Sequence, residues 1–199
     1  MALHFSVLEE MGPVNVPIPD SVEHILLDEA MIQQRVQQLA DLISTDYAGL
    51  RNEEFLIVGV LKGAFMFMAD LTRRLTVPHQ VDFIALSSYA DATEATGSVR
   101  MIMDTRINVA GRHVLIVEDI LDTGYTLSYL LRTFAARNPA SLRTAVLLSK
   151  PERCKVKVTI DYLGFEIPDV WVVGYGLDFA DRFRTLPYIG ALKPSTYQG

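Results

Sequence analysis

Residues 114–126 read VLIVEDILDTGYT. Four consecutive apolar residues run directly into Glu118 and Asp119, and Asp122 follows before a Thr-Gly-Tyr-Thr turn. A short apolar run of this kind, rich in β-branched residues, is a strand covered on both faces. The carboxylates must then leave the core where the strand reaches the sheet edge, because burying an unpaired charge is costly. An arbitrary acidic pair would simply open a solvated loop. The turn that follows argues for more, since Gly124 tolerates φ > 0 and Thr123 and Thr126 supply hydroxyls. A helix beginning near Thr126 would add its free N–H groups. Such a nest plus helix N-terminus holds a phosphate monoester. One step earlier, Glu118 and Asp119 offer acceptors suited to hydroxyls or a metal. A sugar phosphate carries both kinds of group.

The surrounding segments extend this pattern. FLIVGVL (55–61) is a second continuous apolar strand, followed by KGAFMFMADLTRRL as loop and helix. VDFIALSS, MIMDTRI, LRTAVLLSK, IDYLGFEI and VWVVGYG read as further strands. Helices are expected over 28–48, capped by Asp28 with Ile32, Val36, Leu39 and Ile43 on one stripe, and over 126–137. Strands alternating with helices predict a doubly wound, mostly parallel α/β sheet. In that architecture ligands bind beyond the carboxyl ends of the strands. The strand ends here are Lys62, Ser88 with Tyr89, Glu118 with Asp119, Lys150, and Asp178. Residues 1–27, with MGPVNVPIPD, read as an irregular arm on a single domain spanning 1–199.

Composition narrows the classes of function. The chain has 199 residues, half of them apolar, enough to bury a sizeable core. The net charge of −6 argues against a protein that grips nucleic acid through its phosphates. One cysteine, Cys154, precludes an intramolecular disulfide and fits a reducing compartment. MALHFSVLEE lacks the basic start and apolar run of a signal peptide, and no stretch has the length of a membrane span, so a cytoplasmic protein is expected. His4, His24, His79 and His113 lack metal-ligand spacing, and GxxxxGK, GxGxxG and GxSxG motifs are all missing.

VLIVEDILDTGYT resembles the 5-phosphoribosyl-1-pyrophosphate (PRPP) signature of the type I phosphoribosyltransferases. VLKGAF (60–65), LSSY (86–89), LLSKPER (147–153) and LGFEIPDVWVVGYGLDFADRFR (163–184) extend the likeness from about Asp28 to Leu192 and narrow it to the 6-oxopurine group. The resemblance implies the type I fold with a small hood lobe from the N- and C-terminal segments, 163–199 contributing to purine binding. It implies salvage of hypoxanthine or guanine by transfer of the phosphoribosyl group to N9, with Mg²⁺ as cofactor and a homodimer or homotetramer as the assembly.

Roles follow residue by residue. Glu118 and Asp119 would bind the ribose hydroxyls, directly or through Mg²⁺, and Thr123, Gly124, Tyr125 and Thr126 would cradle the 5′-phosphate. Asp122 would take the proton from purine N7, and Lys150 would face O6. Trp171 would stack on the base, with backbone groups of Val172 at its edge. Asp178 would hold a second Mg²⁺, while Lys62, Gly63 and Arg184 would meet the pyrophosphate. The peptide Leu61–Lys62 would be cis. Residues 88–100, opening with Ser88 and Tyr89, would form a lid that keeps water from the transition state. Tyr125 is bulky for the variable position of the turn, and Ala85 stands where some members carry a basic residue. Two other readings of an acidic strand end, a PRPP-sensing regulator of RNA and a phosphoryl receiver, fit less well. The first wants a basic face, and the second has no place for DTGYT or IPDVWVVGYGLD.

Overall fold

The computed structural model describes residues 16–88 and 99–197. Strand β2 (Phe55–Leu61) lies at the middle of a six-stranded sheet with β5 (His113–Leu121) beside it. Outward from β2 come β3 (Gln80–Ser88) and β4 (Val99–Met103), and outward from β5 come β6 (Ser141–Ser149) and β7 (Tyr162–Glu166). All neighbouring pairs are parallel except β3 with β4. The expected doubly wound sheet is therefore present, with one antiparallel edge strand. The expected strand over MIMDTRI survives only to Met103.

The apolar runs explain why β2 and β5 sit centrally. Their side chains alternate between two separate cores, as the pleat requires. Phe55, Ile57, Leu115 and Val117 pack with α1 (Glu29–Asp46) and α2 (Phe65–Thr72). Leu56, Val58, Val114 and Ile116 pack with α3 (Tyr125–Ala135) on the other face. In α1 the side chain of Asp28 accepts the Met31 N–H at 2.8 Å, and the predicted stripe of Ile32, Val36, Leu39 and Ile43 is buried.

A second, smaller sheet has the order β1 (Val22–Leu27), β9 (Ile189–Leu192), β8 (Val172–Val173), with antiparallel pairing throughout. This is the hood built from both ends of the chain. It corrects two sequence-based expectations. Residues 22–27 are not part of an irregular arm, because their backbone completes the ladder of β9. The hood also does not start at 163, since Tyr162–Glu166 pairs with β6 in the main sheet. VWVVGYG keeps only two strand residues, because the chain turns at Gly174 and Tyr175, both with positive φ. The Tyr175 hydroxyl donates to Asp70 on α2 at 2.7 Å, tying the hood to the main body. No helix among the described residues is long and apolar enough to cross a membrane.

Phe55 is fully buried and stacks on Tyr47 with ring centroids 4.0 Å apart. Phe55→Ala is expected to lower unfolding stability by about 3–5 kcal/mol. Leu42→Ala, at an exposed position of α1, should stay within about 0.5 kcal/mol. Urea denaturation of both variants checks the pair.

Candidate active site

Strand β5 carries both carboxylates toward the carboxyl rim, but it runs on to Leu121, beyond the expected end at Glu118 and Asp119, because Ile120 and Leu121 still pair with β6. Glu118 is buried, and its Oε2 has no hydrogen-bond partner among the described residues. Burial, reinforced by the neighbouring Asp119 charge, pushes the Glu118 carboxyl well above the ordinary range. Burial raises Asp119 as well, opposed by hydrogen bonds and by the Arg184 guanidinium. Across from this pair, the Leu61–Lys62 peptide is cis, as the resemblance implies. Asp119 lies so close to Gly63 that a Cβ there would come within 1.8 Å of Oδ2. Gly63 is needed because the carboxylate occupies the space of a side chain.

The turn after β5 is open to a ligand. Gly124, with φ 86°, is the residue before α3, and no side chain caps that helix. The N–H groups of Thr123 through Leu127 donate to no acceptor among the described residues. The loop is instead pinned from behind, where Lys155 and Val156 both donate backbone N–H groups to the Thr123 carbonyl at 3.0 Å. A Cβ on Gly124 would come 2.3 Å from the Val156 carbonyl oxygen. Neither the left-handed conformation nor that contact suits another residue.

Beside the turn lies a cleft of about 430 Å³ lined by Ile120, Asp122, Lys150, Trp171, Val172 and Asp178, among others. Lys150 is buried at the end of β6, and desolvation lowers its pKa while Asp122 and Asp169 oppose the shift. Its Nζ is 3.7 Å from Asp169 Oδ1. Asp122 Oδ1 accepts from Arg153 Nε at 2.5 Å, and Oδ2 has no donor among the described residues. Trp171 is 47% exposed, unusual for the only tryptophan of the chain. Val172, by contrast, is buried in β8.

A third group stands at the cleft's far side. Arg184 reaches Asp178 Oδ1 at 2.7 Å and Asp181 Oδ1 at 2.9 Å, and Lys62 Nζ lies 3.1 Å from Asp181 Oδ1. Arg184 and Lys62 together hold Asp181 below the usual carboxylate range. Asp178 Oδ2 accepts the Asp181 N–H. Lys62 and Arg184 thus converge on Asp181, and Arg184 also holds Asp178. Ser88 ends β3, while Tyr89 and most of the expected 88–100 lid fall outside the described residues.

Five cleft-lining residues carried no signal of their own in the sequence: Ile120, Arg153, Asp169, Leu177 and Tyr197. Arg153 and Asp169 lie within quoted motifs, and an ionisable residue next to a strand end was the available clue. Tyr197 had none, since only the return of β9 brings it to the cleft.

A mostly parallel sheet whose central strand carries one buried and one partly buried carboxylate near its carboxyl end, followed by a turn with free amides among the described residues, defines the class. The Phosphoribosyl transferase domain matches residues 26–180, and the chain belongs to the phosphoribosyl transferase family. Within it, the chain is similar to the hypoxanthine-guanine phosphoribosyltransferase of Mycobacterium tuberculosis (strain ATCC 25618 / H37Rv), 45% identical over 183 residues and covering 90% of this chain and 91% of the relative. The Bacillus subtilis (strain 168) hypoxanthine-guanine phosphoribosyltransferase is 44% identical over 178 residues, covering 89% and 97%. Among solved structures, a Trypanosoma cruzi hypoxanthine phosphoribosyl transferase superposes with a TM-score of 0.86 at 44% identity, covering 92% of this chain and 97% of that one. A Staphylococcus aureus hypoxanthine phosphoribosyltransferase gives 0.87 at 40% identity, covering 94% and 100%.

The raised Glu118 pKa has a consequence for stability. The folded chain holds this proton to higher pH than the unfolded chain does. Its contribution is therefore fully present below the unfolded carboxyl pKa, and is lost as pH rises toward the folded value. Without divalent cation, Glu118→Gln should melt higher than wild type near about pH 7–8, by about 2–4 °C per kcal/mol of relieved desolvation. The difference should vanish near about pH 4. Calorimetry across that range checks both.

Proposed function

We propose that this protein is a purine-salvage enzyme that transfers the 5-phosphoribosyl group of PRPP to N9 of hypoxanthine or guanine, releasing pyrophosphate. The observation that carries this reading is the carboxyl end of β5, where a buried and a partly buried carboxylate, and turn amides with no acceptor among the described residues, open beside an aromatic-walled cleft. A phosphorylated pentose matches that combination, with its phosphate on the turn at Thr123–Thr126 and its hydroxyls toward Glu118 and Asp119. The family membership and the names of the relatives support the same chemistry.

In this arrangement the base lies against Trp171, with its edge at the backbone of Val172. Its N9 forms the bond to C1′ of the ribose as the bond from C1′ to the pyrophosphate oxygen breaks. The N7 proton passes to Asp122, whose Oδ2 has no donor among the described residues while Arg153 holds Oδ1. Lys150, buried and close to this edge, stabilises the charge that develops at O6. Lys62, Gly63 and Arg184 receive the leaving pyrophosphate. Ser88 and Tyr89 would lead a lid over the reacting centre.

Magnesium fits the donor set at β5. Two adjacent carboxylates, one with an orphaned buried oxygen, suit an ion that takes few protein ligands and keeps its waters. No cluster of three or more ligating side chains exists among the described residues, so substrate oxygens and water would complete the shell. Bound there, Mg²⁺ would neutralise the PRPP oxygens. A second ion at Asp178 would have to share that carboxylate with Arg184 and the Asp181 N–H. A homo-oligomer is in keeping with the exposed apolar residues Val81, Ile102 and Met103 on β3 and β4.

A coupled spectrophotometric assay with hypoxanthine, guanine and xanthine tests the reading. Nucleotide formation with at least one base is expected, and none with any of them rejects it. Asp122→Asn should lower kcat on the order of 10²-fold or more, the scale of losing a general base.

A further inference from the structure

We infer that Tyr197 is a positioning residue for the base site, holding the plane of Trp171 so that a 6-oxopurine docks on a preset ring. The inference rests on Trp171 being the platform for the base. Four observations carry it. The Tyr197 ring stacks on Trp171 with centroids 5.5 Å apart and 28° between planes, while Phe179 meets the indole at 5.7 Å and 89°. One ring lies against the indole close to parallel and the other meets it edge-on, so together they restrict how the indole can rotate. Trp171 nevertheless remains 47% exposed, so the stack leaves it available to a ligand. Tyr197 and Trp171 both line the cleft that holds Asp122 and Lys150.

The backbone around Tyr197 is tied to the hood and not free to wander. Leu192 N–H donates to the Trp171 carbonyl at 2.8 Å, so β9 is hydrogen-bonded to the very residue whose side chain is at issue. Lys193 N–H then donates to Ser21 O, and a single helical turn over Pro194–Thr196 brings Tyr197 back across the indole, with its N–H on Pro194 O at 3.2 Å. A half-exposed tryptophan lacking such a neighbour would have to be ordered when the base binds, at a cost to affinity. An offset aromatic stack supplies that order beforehand. The Tyr197 hydroxyl has no hydrogen bond among the described residues, so the ring alone does this work.

The chain's single tryptophan makes the test direct. Fluorescence of Trp171 is titrated with hypoxanthine and with IMP in wild type, Tyr197→Ala and Tyr197→Phe, alongside steady-state kinetics. For Tyr197→Ala we expect lower Trp171 anisotropy and a KM for the base raised roughly 3–10-fold, the scale of one aromatic pair. Its KM for PRPP should be unchanged and its kcat nearly so. Tyr197→Phe should match wild type in all of these. An unchanged or lowered base KM in Tyr197→Ala overturns the inference, the second outcome marking Tyr197 as a competitor for the platform. Equal losses toward both substrates, or a Tyr197→Phe variant as impaired as Tyr197→Ala, overturn it too. A wild type that shows no purine-dependent activity and no Trp171 response defeats the proposed function itself, which separates the two failures.

Discussion

Glu118 and Asp119 are held near the carboxyl end of a strand that is buried on both faces, and the site depends on that placement. Water would solvate two adjacent carboxylates readily, yet the fold keeps Glu118 buried with an oxygen lacking any partner among the described residues. Such a group persists only if something else in the fold demands it or a ligand completes it. The neighbouring chain has adapted to the pair. Gly63 has no Cβ where Asp119 needs the space, and the peptide before Lys62 is cis at the same point. The unpartnered buried oxygen of Glu118 costs the fold stability when nothing completes it.

Everything around the pair is arranged by the two central strands. Because β2 and β5 share their odd and even residues between two cores, the sheet is fixed in position on both faces. Their ends consequently form a rigid rim, and the groups on that rim hold their spacing without relying on surface loops. β6 places buried Lys150 next along the rim, and Arg153 ties the turn after β6 to Asp122 after β5. Loss of these contacts would leave charged groups near one another with no fixed order, since Asp122, Asp169, Lys150 and Arg153 alternate in sign around the cleft.

The hood contributes what the main sheet cannot, an aromatic wall. Its three strands are short, and β8 has only two residues. It gains stability from its own small core of Val22, Val173, Leu186, Tyr188 and Leu192, and from the hydrogen bond between Tyr175 and Asp70. Trp171 lies just before β8, outside that core, which is why the ring can be half exposed while the strand behind it is fully packed.

Long apolar runs were legible from the residues alone, because continuous burial on both faces leaves an unmistakable pattern in β2, β5 and β6. The strand ends followed from the same pattern, and with them Lys62, Glu118, Asp119 and Lys150, while Asp122 was picked out by the turn that follows and by the family resemblance. Of the hood strands only β8 was legible, as part of VWVVGYG; β1 and β9 were not. β1 is a six-residue strand near prolines, and β9 is four residues long; β1 is a strand only because it pairs with β9, more than 100 residues away, and β9 needs that partner as well as β8. Tyr197 belongs to the same case. The amino-acid order determined which groups leave the core at the rim, since burial along a strand is a local property of its side chains. Which distant groups meet them across the cleft, Arg153 on Asp122 and Tyr197 on Trp171, was decided by the tertiary structure. Such contacts depend on the register of non-local pairing, which no local pattern encodes.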